Sequence, residues 1–547
     1  MVFNSDLSLK IGVILIILLL AGAVFIFQRR HRYNLVILTS LSILIIGVAA
    51  HILYGYYQPD YSGHALGSDD AYISYRYSGN LARGRGLVFN PQERVEGYSN
   101  FLYVLLMAGG CLVAQAKNIY WFSCFFNILC SLITFIIFYR YVKRRLGEPL
   151  AASAAFLLAV STSLWVYISI GLETPLVLLI QLAMWIAAEE VARGHSQKTF
   201  LLCLTMALAI LTRADGFLLP LVVILYLLFK KLKRPLIFSS LTVISVSFLY
   251  LAWRYSYYGD LFPNTYYVKI SGPLIQRLVS AGRQFSQIFL GTGLAPYILI
   301  FMISAFTFLI SRFKGRKIDL QGNLEDIFAG ALLAYWFYAG GDHYRERFLV
   351  ILFPLGIFML LKLISRFSLQ KSFLFPVILM LIAGLQLKSL FSDPRFNYAL
   401  FKYDYRIALG EFLGQKHPGK LLAVTAVGKI PYFSDLRTVD MLGLNDFYLA
   451  RKKVDFFGEP AHNKFDFDYV LSRKPDLIVA RVVDLNSLDL SFDIKEEKYR
   501  ANYKPLYAVN TAKSSAYSNI IPVSNFSREE LNSLIARGYE CIVLQRK

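Results

Sequence analysis

Residues Leu66 to Phe101 read LGSDDAYISYRYSGNLARGRGLVFNPQERVEGYSNF. One apolar segment ends before this stretch, near Tyr54, and another begins at Phe101. Between them stand four acids (Asp69, Asp70, Glu93, Glu96) and four arginines (Arg76, Arg83, Arg85, Arg94). Adjacent carboxylates repel each other, so Asp69-Asp70 beside a hydrophobic segment points to a proton, a cation or a sugar hydroxyl taken up there. A solvated loop is the bland alternative, and the surrounding chain weighs against it.

The chain has 547 residues, 56% of them hydrophobic, and a mean hydropathy of +0.49. These values describe an integral membrane protein. Its formal charge of +21 arises from 57 Lys+Arg against 36 Asp+Glu. In a multi-pass protein that excess belongs to cytoplasmic loops, so no nucleic-acid partner is expected. Cys111, Cys124, Cys130 and Cys203 lie in apolar stretches and Cys541 stands alone, so neither a disulfide framework nor a zinc site is indicated. The apolar run Ile11–Phe27 leads into Arg29, Arg30, His31 and Arg32 without a small-residue cleavage site, and reads as a retained helix.

Alternation of basic loops sets the topology. Spans are expected near 10–27, 34–54, 119–139, 150–169, 174–190, 199–212, 216–229, 236–253, 293–311, 326–340, 347–365 and 372–391. These twelve spans put both termini outside. The short run 101–116 is read as interfacial or re-entrant, which keeps the basic residues 140–145 inside. Lys314, Arg316 and Lys317 then also face inward. Inner loops hold bare Lys/Arg clusters, whereas outer loops hold mixed strings of Gly, Pro, Asp, Glu, Asn and Tyr. The chemistry is therefore expected on the outer face. A transmembrane domain, 1–391, includes a first outer loop at 55–118. A soluble outer domain of α/β or α+β type, 392–547, follows, with strands at 421–427, 476–483 and 541–545, helices at Tyr403–Leu413 and Arg528–Arg537, and a loop at Lys429–Leu444.

A transferase on that face has no nucleotide sugar to hand and must draw on a lipid-phosphate sugar. It needs a carboxylate to deprotonate the acceptor hydroxyl, cations for the departing phosphate, and apolar walls for the lipid. Asp69 or Asp70 supplies the first. Arg213, Lys269, Arg345 and Arg347 are the outer-face cations. Each has a plainer reading: Arg213 with Asp215 as a helix-end ion pair, Lys269 as a snorkelling side chain, Glu173 as a first-turn acid, and His343 as a surface histidine. Walker, GxGxxG and GxSxG signals are absent.

Six strings in order resemble GT-C glycosyltransferases of the terminal arabinofuranosyltransferase (AftB-like) type. They are the opening stretch, SIGLETPL (169–176), LTRADG (211–216), YYGDLFPNTYYVK (257–269), GGDHYRERFLVILFP (340–354) and VGKIPYFSDLRTVDMLGLND (427–446). The resemblance implies a GT-C fold, a multi-pass bacterial plasma-membrane enzyme with its site and C-terminal domain on the extracytoplasmic side. It implies a polyprenyl-phosphate sugar donor, decaprenyl-phosphate arabinofuranose among them, and a cell-envelope glycan, lipid or protein acceptor. Asp69-Asp70 match the family's acidic pair, with Asp69 as the base. Arg213, Lys269, Arg345 and Arg347 take the phosphate. Arg76, Glu96, Tyr98, Glu173 and Asp215, with Asn264, Tyr266, Asp342 and His343, are the expected sugar and acceptor contacts. No cofactor is assigned, and the acidic pair is able to hold Mg²⁺ or Ca²⁺ as readily as it takes a proton. Two strings depart from the family: TRPDG is here Thr212-Arg213-Ala214-Asp215-Gly216, and a GGDFM-type string is Gly340-Gly341-Asp342-His343-Tyr344. The rival readings are a polyprenyl-phosphate hexose transferase like the protein O-mannosyltransferases, a lipid-linked sugar flippase, and an anchoring scaffold that works through its outer domain.

Overall fold

Long apolar runs become helices because lipid offers a backbone amide no partner and a helix satisfies its own. The computed structural model describes residues 2–56, 67–313, 324–392, 405–457, 462–481, 496–511, 519–523 and 528–547, and helix follows helix as far as residue 392. Leu66, Lys314, Arg316 and Lys317 lie outside the described residues.

Helices α1 (Val2–Arg29) and α2 (Tyr33–Tyr56) precede α3 (Asp69–Ala82) and α4 (Phe101–Ala114). Then come α5 (Ile119–Leu146), α6 (Glu148–Ala159), α7 (Thr162–Ser169), α8 (Thr174–Ala192), α9 (Thr199–Thr212) and α10 (Leu218–Phe229). The series continues with α11 (Lys233–Tyr258), α12 (Asn264–Lys269), α13 (Leu274–Gly291), α14 (Ala295–Phe313), α15 (Leu324–Ala339), α16 (Leu352–Arg366) and α17 (Leu374–Leu387).

Among the described residues, six helical stretches are long and apolar enough to cross a membrane, and two bent pairs raise the number to eight. The bends are 54° between α6 and α7 and 115° between α13 and α14. The twelve spans expected from charge alternation include α9, α10, α15 and α16, which have only 12 to 16 residues. At about 1.5 Å per residue these reach roughly 18–24 Å, short of a hydrocarbon core of about 30 Å.

By composition the chain changes near residue 392; by packing it divides differently. One compact unit comprises 1–53, 124–253 and 274–397, and is a helical bundle. The other comprises 54–123, 254–273 and 398–547, so α3, α4 and α12 share a unit with the C-terminal sheet.

That sheet has six strands, β1 (Leu422–Val424), β2 (Thr438–Asp440), β3 (Leu477–Arg481), β4 (Tyr503–Val509), β5 (Ile520–Pro522) and β6 (Cys541–Arg546), in the order β2-β1-β3-β6-β4-β5. β1 pairs parallel with β2 and β3, and the remaining pairs are antiparallel. The core includes Ala423, Val439, Ile478, Ile542 and Leu544. Three of these strands fall on the apolar runs picked out in the sequence. The expected loop 429–444 instead carries a helix, Lys429–Ser434, and then β2.

Candidate active site

In the bundle, three chain turns bring charge into apolar surroundings. Glu173 stands just before α8, whose first turn holds Pro175, a residue suited to a position with no amide partner. α9 ends at Thr212 and Arg213 is extended (φ −146°, ψ 148°). A Cβ at Gly216 would overlap the Ala209 carbonyl, so the turn into α10 requires glycine. The third turn, 340–347, links α15 to the 3₁₀ segment Arg345–Leu349.

These turns form one charged cluster. Arg213 Nη1 donates to Glu173 Oε1 and Arg213 Nε to Asp215 Oδ1, both at 2.7 Å. Arg347 Nη2 donates to Asp342 Oδ1 at 3.1 Å. Both guanidiniums approach the Phe348 ring, Arg213 at 4.3 Å and Arg347 at 5.3 Å from its centroid. Burial opposes the Arg213 charge, but Asp215 and Glu173 outweigh it and hold its pKa above the ordinary value. The plain ion-pair reading of Arg213 and Asp215 is therefore part of the structure, enlarged by Glu173.

The cluster borders a small recess with a cavity volume of about 30 Å³. Val177, Ile180, Met184, Leu218, Leu219 and Leu332 are among its apolar walls, while Thr174, Arg213, Asp215 and Arg347 line its polar part. Thr174 Oγ1 and Gln181 Oε1, both lining residues, are buried and have no hydrogen-bond partner among the described residues. Neither was picked out in the sequence. Arg345 is half-buried with φ +56° and is not among the lining residues, and His343 is exposed.

In the second unit, Ser68 caps α3 by accepting from the Ala71 N–H at 3.2 Å. Asp69 opens that helix, and its Oδ2 and Oδ1 accept from the backbone N–H groups of Gly428 and Lys429, each at 2.9 Å. A Cβ at Gly428 would overlap the Asp69 carbonyl. Asp70 is half-buried and accepts no hydrogen bond from the described residues. The buried Lys429 has its Nζ 5.5 Å from the Tyr72 ring centroid. The string containing Gly428 and Lys429 was marked by the resemblance, but neither residue was given a role.

Arg76, expected to contact sugar, is instead a buried clamp. Its Nε donates to the Phe89 carbonyl at 2.8 Å and its Nη2 to the Leu436 carbonyl at 2.7 Å, while Nη1 reaches the Pro431 carbonyl. Burial pulls its pKa down to about 10, against Asp435 and Tyr77. Glu96 is also buried, 2.8 Å from Arg254 Nε. Burial pushes the Glu96 carboxyl up to about 7 despite Arg254. The Tyr98 hydroxyl, 3.2 Å from that of Tyr258, is likewise internal. Asn264 Oδ1 accepts from Arg451 Nη1 at 3.1 Å, whereas Tyr266 is exposed and stacks on Phe262. Lys269 is half-buried at the end of α12.

A resident Ca²⁺ takes roughly six to eight oxygens, and Mg²⁺ a near-octahedral set. Asp69 is already engaged by two N–H groups, and no cluster of three His, Cys, Asp or Glu suited to a metal occurs among the described residues. The donor set does not fit a resident cation.

Residues 102–254, which include Glu173, Arg213 and Asp215, match the family described as Dolichyl-phosphate-mannose-protein mannosyltransferase. Residues 397–526 match a domain of unknown function, DUF8728. The crystal structure of ArnT from Cupriavidus metallidurans bound to undecaprenyl phosphate is similar at 12% identity and a TM-score of 0.55, covering 91% of this chain and 97% of that one. Its apo counterpart is similar at 11% identity and a TM-score of 0.53, covering 92% and 98%. No curated protein matches the chain by sequence. The chain thus has the fold of ArnT, the GT-C architecture that the resemblance implied, and is a multi-pass membrane protein.

Proposed function

We propose that this protein is a polyprenyl-phosphate-sugar-dependent glycosyltransferase of the bacterial plasma membrane. It crosses the bilayer several times and works on the extracytoplasmic side, where its C-terminal domain also lies. It transfers one arabinofuranose or related pentofuranose, with inversion, to a cell-envelope glycan, lipid or protein. The observation that carries this reading is the recess, where apolar walls stand beside two guanidiniums suited to a lipid-linked phosphate. The crystallised ArnT with undecaprenyl phosphate supports the same lipid class.

In the proposed reaction the acceptor hydroxyl gives its proton to Asp69, and its oxygen bonds to the anomeric carbon. The bond from that carbon to the phosphate oxygen breaks, and polyprenyl phosphate leaves. Asp69 suits the base role because two main-chain N–H groups hold its carboxylate in one direction. Asp70 is the second candidate, since no described residue engages it. Arg213 holds Glu173 and Asp215 through Nη1 and Nε, which leaves its Nη2 donors for the phosphate. Arg347 is its partner in that role, and Lys269 and Arg345 stay assigned to the leaving group. Sugar and acceptor selection fall to Glu173, Asp215, Asn264, Tyr266, Asp342 and His343, and Arg76, Glu96 and Tyr98 shape the loop.

The test uses purified protein in nanodiscs. Polyprenyl phosphate is expected to raise the melting temperature, whereas polyprenol and inorganic phosphate leave it unchanged, and polyprenyl-phosphate arabinofuranose supports transfer in the presence of EDTA. Equal stabilisation by polyprenol would remove the arginines from phosphate binding. Transfer from a polyprenyl-phosphate hexose alone would retain the lipid class and overturn the arabinose assignment.

A further inference from the structure

Helix α13 partitions its surface three ways. Arg277, Ala281, Gln284 and Ile288 face the protein, while Leu274, Ile275, Leu278, Val279 and Leu290 are exposed. At 100° per residue these five lie within one arc of about 160°, interrupted by the exposed Ser286, and the exposed Gln276, Arg283 and Gln287 occupy the polar arc beside it. A surface helix between protein and water needs no exposed apolar arc; one lying in a membrane interface needs both. The next helix supplies the direction. α14 has 19 residues, about 28 Å, so that although it qualifies as a span only together with α13 its own length is close to the hydrocarbon thickness, and the two axes meet at 115°. A helix bent that far from a crossing neighbour runs nearer to the plane of the bilayer than to its normal.

We propose that α13 lies in the membrane interface with Leu274, Ile275, Leu278, Val279 and Leu290 among the lipids, and that its inner face holds the turn bearing Asp342 and Arg347. Two contacts tie α13 to the end of α15 and to the turn that follows it. Arg277 Nη1 donates to the Tyr338 carbonyl at 2.7 Å, with its guanidinium 4.7 Å from the Tyr338 ring centroid. Gln284 Oε1 accepts from the Asp342 N–H at 3.0 Å. A Cβ at Gly341 would overlap the Gln284 amide, so the turn and the helix are matched closely at this point. Asp342 in turn orients Arg347. Gln284 is thus a positioning residue, and lipid contact on one side of α13 is joined to the arginine on the other. The inference stands on α13 itself and does not depend on which sugar the enzyme transfers.

The experiment places nitroxides at Ile275→Cys, Val279→Cys and Gln287→Cys in full-length protein in liposomes, with the half-exposed Cys203 replaced by serine. Collision with oxygen and with a water-soluble nickel chelate is then measured. Positions 275 and 279 are expected to favour oxygen and 287 to favour nickel. Nickel access at 279 equal to that at 287 would mean the face meets water. Shielding of 279 from both reagents would mean that a second copy or another protein covers it. Either result overturns the proposal. In parallel, Gln284→Leu is expected to speed hydrogen exchange at the Asp342 amide about fivefold with the nitroxide depths unchanged. Unaltered exchange there would remove Gln284 from the positioning role.

Discussion

Asp69 and Asp70 share one chemistry and adjacent positions, yet the fold treats them differently. Two backbone N–H groups point at Asp69, and none of the described residues engages Asp70. A general base contributes about 10²–10⁴ in rate, so Asp69→Asn is expected to lower kcat by that factor while KM for the lipid donor holds. Asp70→Asn is expected to lower it less; the reverse ranking in a transfer assay moves the base to Asp70. Glu96 supplies a second prediction. Its folded-state pKa, about 7, lies above the ordinary 4.5. A raised carboxyl binds its proton more tightly when folded, so this group's contribution to stability is complete below about pH 4.5 and falls as pH rises through 7. Glu96→Gln is expected to flatten that slope in melting temperatures taken from pH 4.5 to 8. The acidic pair, the Arg213–Asp215 couple and the 340–347 turn were legible from residue type and order. The internal roles of Arg76, Glu96 and Tyr98 were not, because a charged side chain that closes a loop on distant carbonyls looks the same in a sequence as one that waits for a ligand.

At the scale of elements, helices declared themselves through length and apolarity, and the brevity of 101–116 correctly separated it from the long crossing candidates, since α4 has only 14 residues. Strands were harder. β1, β3 and β6 are apolar runs, but β2 and β5 have three residues each, too short for alternation to register. The helix Lys429–Ser434 lies within turn-forming residues and is held by a tertiary partner, Asp69, rather than by its own propensity. That dependence is testable. Gly428→Ala drives a methyl group into the Asp69 backbone. It is expected to reduce kcat at least tenfold and to destabilise the protein by about 1–3 kcal/mol. Activity and melting temperature equal to wild type would show that the Gly428–Asp69 approach is not needed.

Across the whole molecule, composition marked the membrane class and the change near residue 392, whereas the packing units cut across both. Periodicity is a local signal, and nothing local announces that 67–123 and 405–547 fold as one unit. Removing residues 405–547 is therefore expected to unfold the first loop too, raising hydrogen exchange across α3 although its sequence is intact. An α3 that stays protected would make the loop independent of the sheet. The same interleaving has a consequence in time. The Arg76 side chain bonds to a carbonyl 355 residues further along the chain. At a synthesis rate of about 5–20 residues per second, the loop waits roughly 20–70 s for that partner to leave the ribosome. Through that interval Arg76 and Asp69 stand without the groups that hold them. A nascent chain stalled before residue 428 is thus recognisably unfinished to any protease that surveys the membrane surface.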